Sequence, residues 1–393
     1  MRFRHSMGLG ALLALSLLLP AHAKGPQAAT PVASAEGISE YALDNGLRVV
    51  LFPDPSKPVT TVNVTYLVGS RHENYGETGM AHLLEHLVFK GTPTHPDITG
   101  DLKKRGIRFN GTTWLDRTNY FASFATEPAT LQWLLQMEAD RMVHSHISRK
   151  DLDSEMTVVR NEMESGENNP FRILLQRLMS TAYIWHNYGN STIGARADVE
   201  NVPIERLQAF YRNFYQPDNA VLVIAGDFDP EATLAWVAGS FGKIPRPTRK
   251  LQDTYTREPA QDGQRSVSIR RVGTTPYLAL GYHMPASRHA DSAALSVLGE
   301  VLGHTPNGRL HKALVDAGKA TSVANIEFAM DEPGYFMVFA EAPAEADLDA
   351  LEASMVEVVE QSVRKPITEA EVAEARQRML TNYEVSMRDP NAI

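Results

Sequence analysis

Hydrophobic and polar positions along the chain switch repeatedly between a period of two and a period near 3.6, so strands and helices should alternate. Residues 47–52 and 61–66 alternate as strands do, residues 120–125 read as another, and 220–227 is a short apolar run ending in a turn. Residues 77–90 have helical spacing with Gly91 as a stop, and 130–143 and 149–166 are also helical in pattern. These elements predict an α+β domain over 38–242, a mixed sheet packed with helices. Residues 243–263 hold Pro245, Pro247 and Pro259 with little apolar pattern and read as an interdomain linker. A second α/β region, 264–393, follows, with strands expected at 267–269 and 277–282 and helices at 290–302 and 368–387. The sequence stops just beyond that last helix, so the second domain is expected to be truncated and the chain to be the front part of a longer protein.

The two regions echo each other. Ser70-Arg71-His72 precedes the first helix and Ser287-Arg288-His289 precedes a helix in the second. Laid over one another without gaps, they bring His82, Glu85 and His86 onto Gly299, Leu302 and Gly303. The second copy would then keep the scaffold and lack the polar residues.

At the front, Arg2 and Arg4 precede an apolar run from Gly8 to Leu19, and Ala21-His22-Ala23 is a small-x-small cleavage site. Residues 1–23 therefore read as a signal peptide and 24–37 as a linker, which predicts a periplasmic or secreted protein. The apolar run is short for a bilayer span, and no later stretch is long and apolar enough, so no membrane span is expected after cleavage. The formal net charge of −9 over 393 residues argues against nucleic acid as a partner. There is no cysteine, so a metal site would have to use histidine and carboxylates.

The residues that carry chemistry lie in Gly79-Met80-Ala81-His82-Leu83-Leu84-Glu85-His86-Leu87-Val88-Phe89. On a helix His82 and His86 are one turn apart on one face and can reach one ion. Glu85 shares that side and can take a proton from a water that the ion activates. Burying two histidines and a glutamate among leucines would be costly without a shared cation. A catalytic zinc keeps three protein ligands. The third should come from the helix carrying Glu155 and Glu162, two turns apart on one face, one as ligand and the other in support. His144 and His146 could face one side of a strand but have no third ligand near them in sequence, and His283, His289, His304 and His311 lack metal-ligand spacing.

His82-x-x-Glu85-His86 with Glu162 downstream, flanked by Glu77-Thr78-Gly79-Met80-Ala81, Lys90-Gly91-Thr92, Asn110-Gly111-Thr112-Thr113, Thr118-Asn119-Tyr120 and Tyr215-Gln216-Pro217-Asp218-Asn219, resembles the pitrilysin/insulinase family of zinc peptidases, the inverzincins. The resemblance implies one zinc ion held by His82, His86 and Glu162, Glu85 as general base, Glu155 as an auxiliary catalytic-site glutamate, and Asn110 on an edge strand that pairs with substrate backbone. Asn110-Gly111 stands where the family commonly has Asn-Ala, a change expected to loosen that strand. The family works as two similar halves closing on a chamber, the metal-free half supplying an arginine and a tyrosine. No match for that pair is evident, so a second half is expected in cis, in a longer chain, or in trans, as a partner subunit. The implied activity is hydrolysis of peptides or unfolded polypeptides. The alternative is a non-hydrolytic peptide-binding or assembly subunit, which would have no need of Glu85.

Overall fold

The computed structural model describes residues 30–273 and 275–386. The expected signal peptide lies outside the described residues. The first unit contains strands β1 (Ala33–Ala35), β2 (Ile38–Ala42), β3 (Arg48–Pro53), β4 (Val59–Tyr66), β5 (Arg108–Thr113), β6 (Thr118–Ala125) and β7 (Ala220–Gly226). Its helices are α1 (Met80–Val88), α2 (Ile98–Lys104), α3 (Pro128–His144), α4 (Arg149–Glu167), α5 (Pro170–Ala182), α6 (Arg196–Asn201), α7 (Ile204–Phe214) and α8 (Pro230–Gly239). The strands form one sheet in the order β1-β2-β3-β7-β4-β6-β5. All neighbours are antiparallel except β3 and β7, which run parallel. β5 is therefore an edge strand, with its outer row of backbone groups unpaired within the sheet.

Alternation builds the sheet's core face. Val49 and Leu51 of β3, Val62, Val64 and Tyr66 of β4, and Leu222 and Ile224 of β7 are all buried. The helices close over them. Leu83, Leu84, Leu87 and Val88 of α1 and Leu152, Val159 and Met163 of α4 enter the same core. A helix spaced in this way buries one stripe and leaves the other for polar work. Burying each such leucine or valine contributes roughly 1.5–3 kcal/mol, so α1 is fixed mainly by tertiary packing.

The second unit has β8 (Tyr277–His283), β9 (Ser322–Phe328) and β10 (Tyr335–Glu341) in the order β8-β10-β9, with α9 (Ser292–Gly303), α10 (Leu348–Arg364) and α11 (Glu369–Ser386). α9 lies against the edge strand β9 as α1 lies against β5. An apolar cluster joins the units: Leu115, Met179, Tyr183 and Tyr188 meet Met330, Tyr335 and Met337. Among the described residues no helix is long and apolar enough to cross a membrane.

Three sequence expectations change. Residues 33–35, read as linker, pair with β2 through a turn at Glu36 and Gly37, both with positive φ. The expected strand at 267–269 is not one. Val267 and Ile269 are more than a third exposed, and Arg265 instead donates to the carbonyls of Thr181 and Ala182 at the end of α5. Alternation alone cannot supply a partner strand. Finally, the segment read as an interdomain linker is strapped down. The carboxylate of Glu258 accepts from the amides of Ile184, Trp185 and His186, and Arg249 pairs with Asp218 at 2.6 Å.

Candidate metal centre

α1 starts abruptly because Gly79 turns with φ +90°. A side chain there would strike Ile193 O and Val199 Cγ2 at 2.6 Å, and Gly194 packs against it with the same need for space. The first turn of the helix is thereby pressed onto the connection leading into α6. Thr78 Oγ1 adds a 2.7 Å hydrogen bond to Asp198 of α6. The helix ends at Phe89, two residues before Gly91.

His82 and His86 project from the face opposite the buried Leu84 and Val88. α4 crosses that face, held by its own buried stripe of Leu152, Val159 and Met163. Glu162 Oε2 lies 3.4 Å from His82 Nε2 and 3.5 Å from His86 Nε2. One ligand atom from each of these residues lies within 4.8 Å of the others. A tetrahedral zinc with bonds of about 2.0–2.1 Å separates its ligand atoms by roughly 3.3 Å, so these spacings fit. The donor chemistry fits as well, two imidazoles and one carboxylate. Burial, then the neighbouring His86, lowers the His82 pKa to about 4, which keeps its ring neutral and able to ligate near neutral pH.

Glu155 does not join this cluster. Its Oε2 lies 3.1 Å from His86 Nδ1, on the far side of the ring, and its Oε1 pairs with Lys90 Nζ. Burial alone would raise its carboxyl, but the hydrogen bonds from Lys90 and His86 bring it below the ordinary value. Glu155 thus stands behind His86, on the side away from Glu162. The two glutamates share a face but lie about 10 Å apart along the helix axis, so they meet α1 at different heights.

Glu85 is buried and accepts from Thr113 Oγ1 at 2.6 Å. Burial raises its pKa, against the pull of Thr113 and His86 and with the push of Glu162. Its other oxygen rests against β5 at Gly111, where an added Cβ would lie 2.9 Å from Glu85 Oε1. This corrects the expectation of a loosened strand: Gly111 is buried, pairs regularly with Tyr120, and makes room for the Glu85 carboxylate. Asn110 lies exposed on β5 at the rim of the same cleft, about 560 Å³ in volume, which is also lined by His82, Glu85, His86 and Glu162. Thr113 and Lys90 were not singled out from sequence. Thr113 stood inside a quoted motif, and Lys90 lies one turn beyond His86.

In the second unit Gly299 and Gly303 of α9, four residues apart as His82 and His86 are, face Asn325 and Glu327 of β9. Side chains at these glycines would meet those groups at 2.1 Å. The two positions that the ungapped alignment sets against the histidines have no room for a side chain.

The family model for insulinase (peptidase family M16) matches residues 48–196, and the model for the peptidase M16 inactive domain matches 201–379. The chain belongs to this peptidase family. It is 32% identical over 339 residues to the zinc protease PqqE of Helicobacter pylori, covering 84% of this chain and 76% of that one. The crystal structure of a protease from Helicobacter pylori shares the fold with a TM-score of 0.85 and 28% identity, covering 90% of this chain and 87% of the other. The periplasmic protease PqqL of Escherichia coli, at 19% identity and a TM-score of 0.72, shares the fold over 91% of this chain and 41% of its own length.

Proposed function

We propose that the chain is the metal-binding half of a zinc-dependent endopeptidase that hydrolyses peptides or unfolded polypeptides. The observation that carries this reading is the convergence of His82, His86 and Glu162 beside a buried Glu85. Zinc, when bound, supplies a Lewis acid that acidifies water and polarises a carbonyl. His82, His86 and Glu162 would hold it, with Glu155 fixing the ring of His86. Thr113 pins one oxygen of Glu85 and leaves the other free in the cleft. There Glu85 takes a proton from the attacking water and delivers it to the leaving amine, a role helped by the raised affinity for protons that burial gives it. β5, an unpaired edge beside these groups, suits an extended peptide added as a further strand, with Asn110 at its rim.

The likeness to one part of a longer protease chain supports a second half, in cis or in trans, that closes the cleft. Residues 1–23 support export to the periplasm or beyond. The test is Glu85→Gln in the complete enzyme. Zinc should stay bound while peptide turnover falls by about two to four orders of magnitude. Near-normal turnover in that variant would refute the assignment of the base.

A further inference from the structure

α1 has no capping side chain of its own, since its N-cap is Gly79. A helix leaves its first N–H groups unsatisfied, and in a buried turn they must find partners. Here the partner comes from outside the helix. The two oxygens of Glu73 accept from the amides of Gly79 at 2.9 Å and Ala81 at 2.8 Å. Ala81 adjoins His82, and Glu85 and His86 follow one turn later. Glu73 is only 3% exposed. Burial pushes its carboxyl up to about 8, opposed by the two amides and assisted by Asp198 and Glu77. The positive end of α1 favours the ionised form.

The segment bearing Glu73 is in turn held by both units. Asn187 Nδ2 donates to the carbonyls of Arg71 and Glu73 at 2.7 and 2.9 Å. The Arg71 side chain is 9% exposed and pairs with Asp116 at 2.6 Å. It then reaches across to the β9–β10 connection, meeting Glu332 at 2.6 Å and Asp331 at 3.3 Å. Glu332 also pairs with His186 at 3.0 Å, and Arg288 pairs with Asp331 at 2.8 Å.

We infer that Glu73 is a positioning residue for the helix that carries His82, Glu85 and His86, and that the second unit holds it in register through Arg71, Asp331 and Glu332. The metal-free unit thereby helps to set the geometry of the metal centre. The kinetic part of this inference rests on the peptidase reading; the structural part does not.

Glu73→Gln keeps the volume but presents an N–H group to one of the two amides. Three quantities are measured on the full chain, well below the unfolding temperature of each variant. They are hydrogen exchange at Gly79 and Ala81, zinc affinity by chelator competition, and kcat and KM on a quenched fluorescent peptide. Loss of one of the two amide hydrogen bonds predicts that exchange at the two amides quickens by about 10-fold. Zinc affinity should fall about tenfold. Turnover should fall about tenfold with KM within about twofold, the split expected for misplaced chemistry rather than lost binding. The double variant Asp331→Asn/Glu332→Gln should shift all three in the same direction, and combining it with Glu73→Gln should add less than the sum. Exchange, affinity and turnover all near wild type in Glu73→Gln would overturn the inference. If that variant does not fold, unchanged exchange at Gly79 and Ala81 in the double variant overturns it instead. If exchange and affinity respond while the unaltered enzyme, supplied with its second half, cleaves no peptide, the peptidase reading is what fails.

Discussion

Replacing Glu155 with glutamine would remove a charge that touches none of the three ligand atoms yet holds one ligand in place. In the native site Oε2 accepts a hydrogen bond from His86 Nδ1–H at 3.1 Å, and Oε1 accepts one from Lys90 Nζ. This fixes the tautomer of His86 and leaves the Nε2 lone pair for the metal, 3.5 Å from Glu162 Oε2. Glutamine can accept on only one side. If its NH2 faces His86, it donates to Nδ1, moves the ring proton to Nε2 and removes the ligating lone pair. If it faces Lys90, two donors confront one another beside an ammonium charge. Either arrangement loses a charge-assisted bond, about 1.5–3 kcal/mol in a dry setting. The Glu155 side chain is 15% exposed and that of Lys90 31%, so solvent screens part of this. We therefore expect a net cost of about 1–2 kcal/mol, or roughly 5- to 30-fold in zinc affinity. Chelator competition at neutral pH measures it, and a Lys90→Met variant separates the lysine's share. Zinc affinity within about twofold of wild type in Glu155→Gln would show that His86 needs no partner behind it.

Two further outcomes follow from the same geometry. Glu162→Gln, His82→Ala and His86→Ala should each abolish tight zinc binding with the fold retained, as read by elemental analysis and circular dichroism; full occupancy in Glu162→Gln would remove the third ligand from the assignment. In the second unit, Arg309 holds the Glu371 carboxyl down to about 2 through a bidentate pair, with Thr368 assisting. A depressed folded-state pKa contributes stability above the unfolded value near 4.5, and that stability is lost as pH falls from there toward about 2. Thermal unfolding followed over that window should therefore show a steeper acid loss in the wild type than in Glu371→Gln. The difference should be at most about 1 kcal/mol, because the pair is solvent-screened.

Local patterns along the chain were enough to place most of the elements that build the site. The stripes in α1 and α4 and the alternation in β3, β4, β6 and β7 are read directly, since backbone sterics and side-chain period act over a few residues. The i, i+4 histidines with Glu85 between them likewise need only a helix to share one side. The second region was harder. β9, β10 and α10 were not picked out, and the alternation at 267–269 found no partner strand.

What only tertiary packing decides is the relation between segments far apart in sequence. Glu155 and Glu162 have the same helical face and the same chemistry. Glu162 reaches the cluster and Glu155 stands behind His86 because the two lie about 10 Å apart along the helix axis, and Leu152, Val159 and Met163 fix where α4 crosses α1. Gly111 reads as a weak point in a strand until the Glu85 carboxylate is seen to occupy the space that a Cβ would fill. Glu73 has no motif that marks it as the cap of a helix starting seven residues later, and Arg71 none that ties it to Asp331 and Glu332 in the second unit. The sequence by itself therefore determined which residues could bind a metal and move a proton. Which of them meet, and which hold the others still, was decided by packing, because those contacts join groups whose spacing along the chain carries no period.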